Sequence, residues 1–199
     1  MSKLGAAPDG AIMPGQLVKV LSAGWRGKAR DDPRVVRLDI GVASFRRNTA
    51  GTHDSWATRL VLRRLDGANK GDVMEGHVFG IFSEDGRKRL DLGCASIEEQ
   101  RDVRHESWAT RLRIRPLKED TDATRPLQYN EVVGVFSDDG RSYRLDIGSA
   151  ACKEQHAEHD SWATRLRLEA IEANDGVVGY PPSVAGAPGR NIARCCIVS

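Results

Sequence analysis

A histidine, a carboxylate, a serine and a tryptophan recur together three times in this chain: His53-Asp54-Ser55-Trp56, His105-Glu106-Ser107-Trp108 and His159-Asp160-Ser161-Trp162. Two chemistries could use such a set. Three histidines meeting on a symmetry axis would make a zinc site with an open fourth position, suited to metal-assisted hydrolysis. An aromatic face beside a carboxylate and an imidazole would instead stack a sugar and bind its hydroxyls. Each histidine, however, is followed at once by an acid and a serine and stands just before an alternating apolar segment. That is the setting of a loop residue bonded to its backbone neighbours, so no metal and no cofactor are expected. No nucleophile elbow, phosphate-binding glycine loop, His-Glu-x-x-His or paired Cys-x-x-Cys occurs, which makes binding or scaffolding the expectation and catalysis the exception.

The cysteines carry a second chemistry. Four in 199 residues are too few for a disulfide framework, and Cys94 and Cys152 are expected as reduced core thiols. Cys195 and Cys196 are different. The chain ends Cys196-Ile197-Val198-Ser199, which matches a CaaX box with two aliphatic residues and a terminal serine that favours farnesyl. Cys196 is therefore the expected prenylation site and Cys195 a palmitoylation position, with Arg190 and Arg194 adding positive charge nearby. Residues 172–194 hold Gly179-Tyr180-Pro181-Pro182 and Ala185-Gly186-Ala187-Pro188-Gly189 with almost no apolar periodicity, the composition of a disordered tether. No apolar run approaches the ~20 residues of a membrane-spanning helix, and the first residues lack a signal-peptide pattern. The expected location is the cytoplasmic face of a membrane, held by lipid.

The elements that position these residues repeat as well. Trp56, Trp108 and Trp162 lie 52 and 54 residues apart. Upstream of each stands a second block, Arg37-Leu38-Asp39-Ile40-Gly41, Arg89-Leu90-Asp91-Leu92-Gly93 and Arg144-Leu145-Asp146-Ile147-Gly148. A third block, Gly80-Ile81-Phe82-Ser83-Glu84-Asp85-Gly86-Arg87, returns as Gly134-Val135-Phe136-Ser137-Asp138-Asp139-Gly140-Arg141. In the first copy only Val20-Leu21-Ser22 remains of it, followed by about nine extra residues. Each block reads as a strand, giving at least nine strands and no long helix. Period-two alternation through Trp56, Thr58, Leu60 and Leu62 predicts a buried Trp layer at Trp56, Trp108 and Trp162. Asp39, Asp91 and Asp146 oppose their apolar neighbours, as do Arg59, Arg111 and Arg165, which predicts an Asp–Arg pair bridging the blocks in each unit.

An all-β domain over residues 14–171 follows, with a flexible leader at 1–13, units of about 14–65, 66–117 and 118–171, and the tether at 172–199. Three copies of about 52 residues, each with a Trp near its end, resemble the pseudo-threefold β-trefoil of ricin-B-type, MIR-type and fascin-like modules. The Gln-x-Trp motif of ricin-type lectins is replaced here by His-(Asp/Glu)-Ser-Trp. A β-prism is the other threefold solution.

The formal net charge of +2 conceals an asymmetry. Residues 16–65 carry 11 Lys or Arg against 4 Asp or Glu, whereas 66–117 and 118–171 sum to −1 and −4. The basic unit contains the insertion, and Trp25, Arg26, Lys28, Arg30 and Arg34 within it form the expected contact with acidic lipid or an acidic partner. The overall expectation is a monomeric, non-enzymatic, lipid-anchored binding or scaffold module that does not bind nucleic acid. A carbohydrate-binding lectin with sites near His53, Asp54, His105, Glu106, His159 and Asp160 is the alternative. The third option is an actin cross-linker, which the fascin-like resemblance implies.

Overall fold

The computed structural model describes residues 10–23, 35–41, 54–67, 70–93, 104–117, 125–139, 143–148, 155–156 and 158–171. These form eight strands and no helix: β1 (Leu17–Ser22), β2 (Leu60–Arg64), β3 (Phe79–Ser83), β4 (Leu112–Pro116), β5 (Val133–Ser137), β6 (Tyr143–Arg144), β7 (Gln155–His156) and β8 (Leu166–Ala170). Six of them close into a ring, β1-β2-β3-β4-β5-β8 and back to β1, with every neighbour antiparallel. The short β6 extends from β5, and β7 from β6.

Alternation within the ring strands builds the core. Val18 and Val20, Leu60 and Leu62, Phe79 and Ile81, Leu112 and Ile114, Val133 and Val135, and Leu166 and Leu168 all point inward and are buried. Leu38 and Ile40, with their counterparts Leu90, Leu92, Leu145 and Ile147, join the same cluster. Burying one such side chain contributes ~2 kcal/mol, so this cluster is the main source of stability.

Because neighbours are antiparallel, β1, β3 and β5 finish at one end of the barrel and β2, β4 and β8 at the other. At the second end the three units meet in a cycle of backbone hydrogen bonds. The Ile12 N–H donates to the Leu127 carbonyl at 2.8 Å, Leu127 to Val73 at 2.8 Å, and Val73 to Ile12 at 2.7 Å. All three side chains are fully buried. A left-handed residue follows each of them: Gly15 (φ 85°), Gly76 (φ 91°) and Asn130 (φ 66°). Residues 10–13, assigned to the leader by composition, therefore belong to the first unit, since Ile12 supplies one third of this closure.

The strand pattern differs from the sequence expectation in two ways. The strands begin at Leu60, Leu112 and Leu166, later than the alternation implies, because the preceding Trp-Ala-Thr is a turn. Among the described residues the Arg-Leu-Asp block counts as a strand only at Arg144, which pairs with both β5 and β7, while Arg37 and Arg89 make the equivalent hairpin pairing as single bridges, Leu21↔Arg37 and Phe82↔Arg89.

The described residues on either side of the first unit's insertion match the two sides of the other units' hairpin turns. Ser83 Oγ accepts the Lys88 N–H at 3.0 Å and Ser137 Oγ accepts the Tyr143 N–H at 3.2 Å, each closing a short turn. Ser22 Oγ takes the Val36 N–H at 3.0 Å across fourteen positions, so the same closure is kept around the longer loop.

Candidate functional site

The recurring His-(Asp/Glu)-Ser-Trp and Arg-Leu-Asp-(Ile/Leu)-Gly blocks come together near the end where β1, β3 and β5 finish, forming one polar joint per unit. The turn in each joint is local chemistry. The Ser55 N–H donates to Thr58 Oγ1 at 2.8 Å while that hydroxyl donates to the Ser55 carbonyl at 3.0 Å, and Ser107 with Thr110 and Ser161 with Thr164 repeat the N–H bond at 2.9 Å. Asp39, Asp91 and Asp146 each accept the N–H two residues on, from Gly41, Gly93 and Gly148, at 2.8 Å. Trp56, Trp108 and Trp162 lie across those glycines. A Cβ at Gly148 would stand 2.6 Å from the Ala163 Cβ and 2.9 Å from the Trp162 ring.

At the centre of each joint is an arginine whose role the sequence left unassigned. Arg37, Arg89 and Arg144 are 1%, 2% and 4% exposed. Arg89 donates from Nη1 to the His105 carbonyl and from Nη2 to the Thr110 carbonyl, both at 3.0 Å. Arg144 does the same to His159 at 3.0 Å and Thr164 at 3.1 Å, and Arg37 donates to Thr58 at 3.0 Å. Burial lowers the pKa of each guanidinium, and Asp54, Glu106 and Asp160 oppose that shift. Their ion-pair distances to the arginines are 2.9, 3.6 and 3.3 Å. Arginine remains protonated, so each joint holds a buried charge answered by a carboxylate at the surface. A positional signal existed in the sequence: the same Arg heads all three blocks, two residues before an aspartate on the same face.

The expected partners are rearranged accordingly. His105 Nε2 lies 3.6 Å from Asp91 Oδ2, and His159 Nε2 lies 3.6 Å from Asp146 Oδ2. Arg59 pairs with Asp54 (3.6 Å) and Glu84 (3.7 Å), Arg111 with Asp138 (3.4 Å), and Arg165 with Asp160 (2.5 Å). The predicted Asp–Arg bridge is thus divided between two arginines per unit. Asp39, Asp91 and Asp146 interact with the buried arginine of their own block, whereas the exposed-side arginine takes other carboxylates. The Trp residues are half-buried covers of the turn rather than a buried layer. Trp108 also meets Tyr143 of the next unit, with ring centroids 5.1 Å apart.

Among the described residues no group of three His, Cys, Asp or Glu side chains is placed to hold a metal ion. His53 lies outside the described residues, as do Trp25, Arg26, Lys28, Arg30, Arg34, Cys94, Cys152, Cys195 and Cys196.

The fold and joints define an all-β closed barrel assembled from three homologous units. No family model matches the chain, and no curated protein matches it. Among solved structures, the crystal structure of the SDF2-like protein from Arabidopsis thaliana is similar, with a TM-score of 0.52 and 9% identity over 79% of this chain and 94% of that one. At that identity the likeness concerns the fold alone.

Proposed function

We infer that the chain is a non-enzymatic binding or scaffold module of β-trefoil type, anchored by lipid to the cytoplasmic face of a membrane. The observation that carries the anchor is the sequence Cys196-Ile197-Val198-Ser199. The single continuous ring of six strands and the threefold closure of Ile12, Val73 and Leu127 support the trefoil over the prism, which needs three separate sheets. A scaffold role is supported by the use made of the repeated polar groups. His105 and His159 face structural carboxylates and the joint arginines hold turn carbonyls, so these groups already serve the fold.

One prenyl chain gives only reversible membrane binding, so a second contact is needed. Palmitoyl on Cys195 and the basic insertion, whose base is fixed by Ser22 and Val36, are the two that the chain offers. Mass spectrometry of protein from a eukaryotic host should find Cys196 farnesylated and methylated with Ile197 to Ser199 removed. Cys196→Ser should release a fluorescent fusion from membranes, and unchanged membrane localisation would overturn the anchor. Carbohydrate binding is a second reading, favoured by the half-exposed Trp108–Tyr143 pair beside His105. Glycan-array signal lost on His105→Ala would establish it, and co-sedimentation with filaments would establish the actin option instead.

A further inference from the structure

Three places around the barrel, where the last strand of one unit lies beside the first strand of the next, are equivalent in the fold and unequal in chemistry. At β2–β3, Arg63 stands opposite Gly80, and its Cζ lies 4.6 Å from the Phe82 ring centroid. At β4–β5, Arg115 stands opposite Gly134, with its Cζ 5.1 Å from the Phe136 ring. Glycine is required beneath each ring, since a Cβ there would come within 2.6 Å of Phe82 and 2.5 Å of Phe136. Both rings are buried while both arginines are exposed. Arg89 and Arg144 approach the same rings at 5.2 and 5.5 Å, but their charges are answered by Glu106 and Asp160. Among the described residues, Arg63 and Arg115 have no carboxylate partner.

The third place already holds a carboxylate. At β8–β1, Glu169 occupies the position of Arg63 and Arg115, faces Lys19 across the strands and pairs with Arg167 at 3.3 Å. Leu21 replaces the phenylalanine. Two sides of the barrel thus present a guanidinium over a ring with no counter-charge among the described residues, and the third does not.

A stacked guanidinium keeps its N–H donors at the edge of its plane, in the fork that matches a carboxylate, and part of its rotamer entropy is already lost before a ligand arrives. We propose that Arg63 and Arg115 are two equivalent docking points for the carboxylates of an acidic protein segment. A bilayer is the poorer fit, because a flat surface cannot reach outward-facing residues on two different sides of a closed barrel. The side from which the chain leaves β8 is also the one that already holds a carboxylate, Glu169. The proposal deepens the scaffold reading by naming the partner's chemistry, and it does not require Cys196 to be prenylated.

The test uses the unlipidated full chain at about 20 mM salt, where screening of exposed charges is weak. Hexaglutamate peptide is titrated while the arginine Nε–Hε resonances are followed by NMR. Shifts at Arg63 and Arg115, weakening of about threefold in Arg63→Gln or Arg115→Gln and loss of saturable binding in the double variant are expected. Arg87→Gln serves as the control, because Arg87 is 66% exposed but already pairs with Asp85 at 3.8 Å. Equal weakening by Arg87→Gln would reduce the effect to net charge and overturn the proposal. So would variants that lose binding to phosphatidylserine vesicles while binding hexaglutamate normally. Matching urea midpoints keep unfolding from imitating either result. A failed anchor with intact hexaglutamate binding would leave this inference standing, and the reverse would refute it alone.

Discussion

Arg89 shows how much of a joint rests on one side chain. It is 2% exposed and supplies donors to two carbonyls that have turned away from the strand ladder. Arg89→Met keeps most of the volume but leaves the carbonyls of His105 and Thr110 without those bonds, and should cost ~2–4 kcal/mol in a urea titration. Glu106→Gln, at a side chain 59% exposed, should cost less than ~1 kcal/mol. The third joint gives the pH dependence. Hydrogen bonds from Arg165 hold the Asp160 carboxyl below its ordinary value, against a smaller opposing effect of burial. A carboxylate with a depressed folded pKa adds stability above the unfolded value of ~3.9, and that stability is lost as pH falls through the folded value. Asp160→Asn should therefore lose less stability than the parent between pH 5 and pH 3, by under ~1 kcal/mol because both partners are exposed. Equal slopes in urea midpoints would contradict this. At this scale the sequence disclosed which residues recur but not what they bond to. Trp56 sat in phase with Leu60 and Leu62 and so looked like a strand residue, although the Ser55–Thr58 spacing three residues apart is what makes the turn.

The elements were legible where an apolar pattern has a period, and illegible where a single hydrogen bond decides. β2, β4 and β8 alternate visibly, and β3 and β5 carry the Phe-Ser-x-Asp-Gly hairpin signal. The Arg-Leu-Asp block alternates too, and each copy makes one pairing with its hairpin partner, Leu21↔Arg37, Phe82↔Arg89 and Phe136↔Arg144; only the third, which also pairs with β7, is long enough among the described residues to count as a strand. The insertion is the informative case. Its first described neighbour, Ala23, donates to the Arg165 carbonyl at 2.7 Å, as Glu84 does to Arg59 and Asp138 to Arg111 at 2.8 and 2.9 Å. The loop thus departs from a frame identical to that of the two hairpins. Replacing residues 24–35 with the three residues Asp85-Gly86-Arg87 should preserve the fold, because Ser22 Oγ then meets the Val36 N–H across a turn of native length. Loop-closure entropy favours the shorter connection by ~1 kcal/mol, to be read from thermal or urea unfolding. Loss of cooperative unfolding would mean that the insertion supports the barrel.

At the scale of the molecule, the β1–β8 pair has the basic insertion at one end and the exit toward Cys196 at the other. Closure of the ring predicts that the order of units in the chain is secondary to the presence of all three. Ile171 donates to Leu17, Leu65 to Val78 and Leu117 to Val132, making these three exits equivalent. Leu65 is joined to Gly71 by five residues and Leu117 to Arg125 by seven. A linker of five to seven residues from Ile171 to Gly10 should therefore copy a connection that the molecule already makes twice. A permutant so joined and opened at residues 68–69 should fold with one cooperative transition and the parent's near-UV circular dichroism. A chain ending at Leu117 lacks β5, β8 and the Leu127 third of the closure, and should remain unfolded under the same conditions. If that two-unit chain unfolded cooperatively as a monomer, the ring would not be the unit of stability.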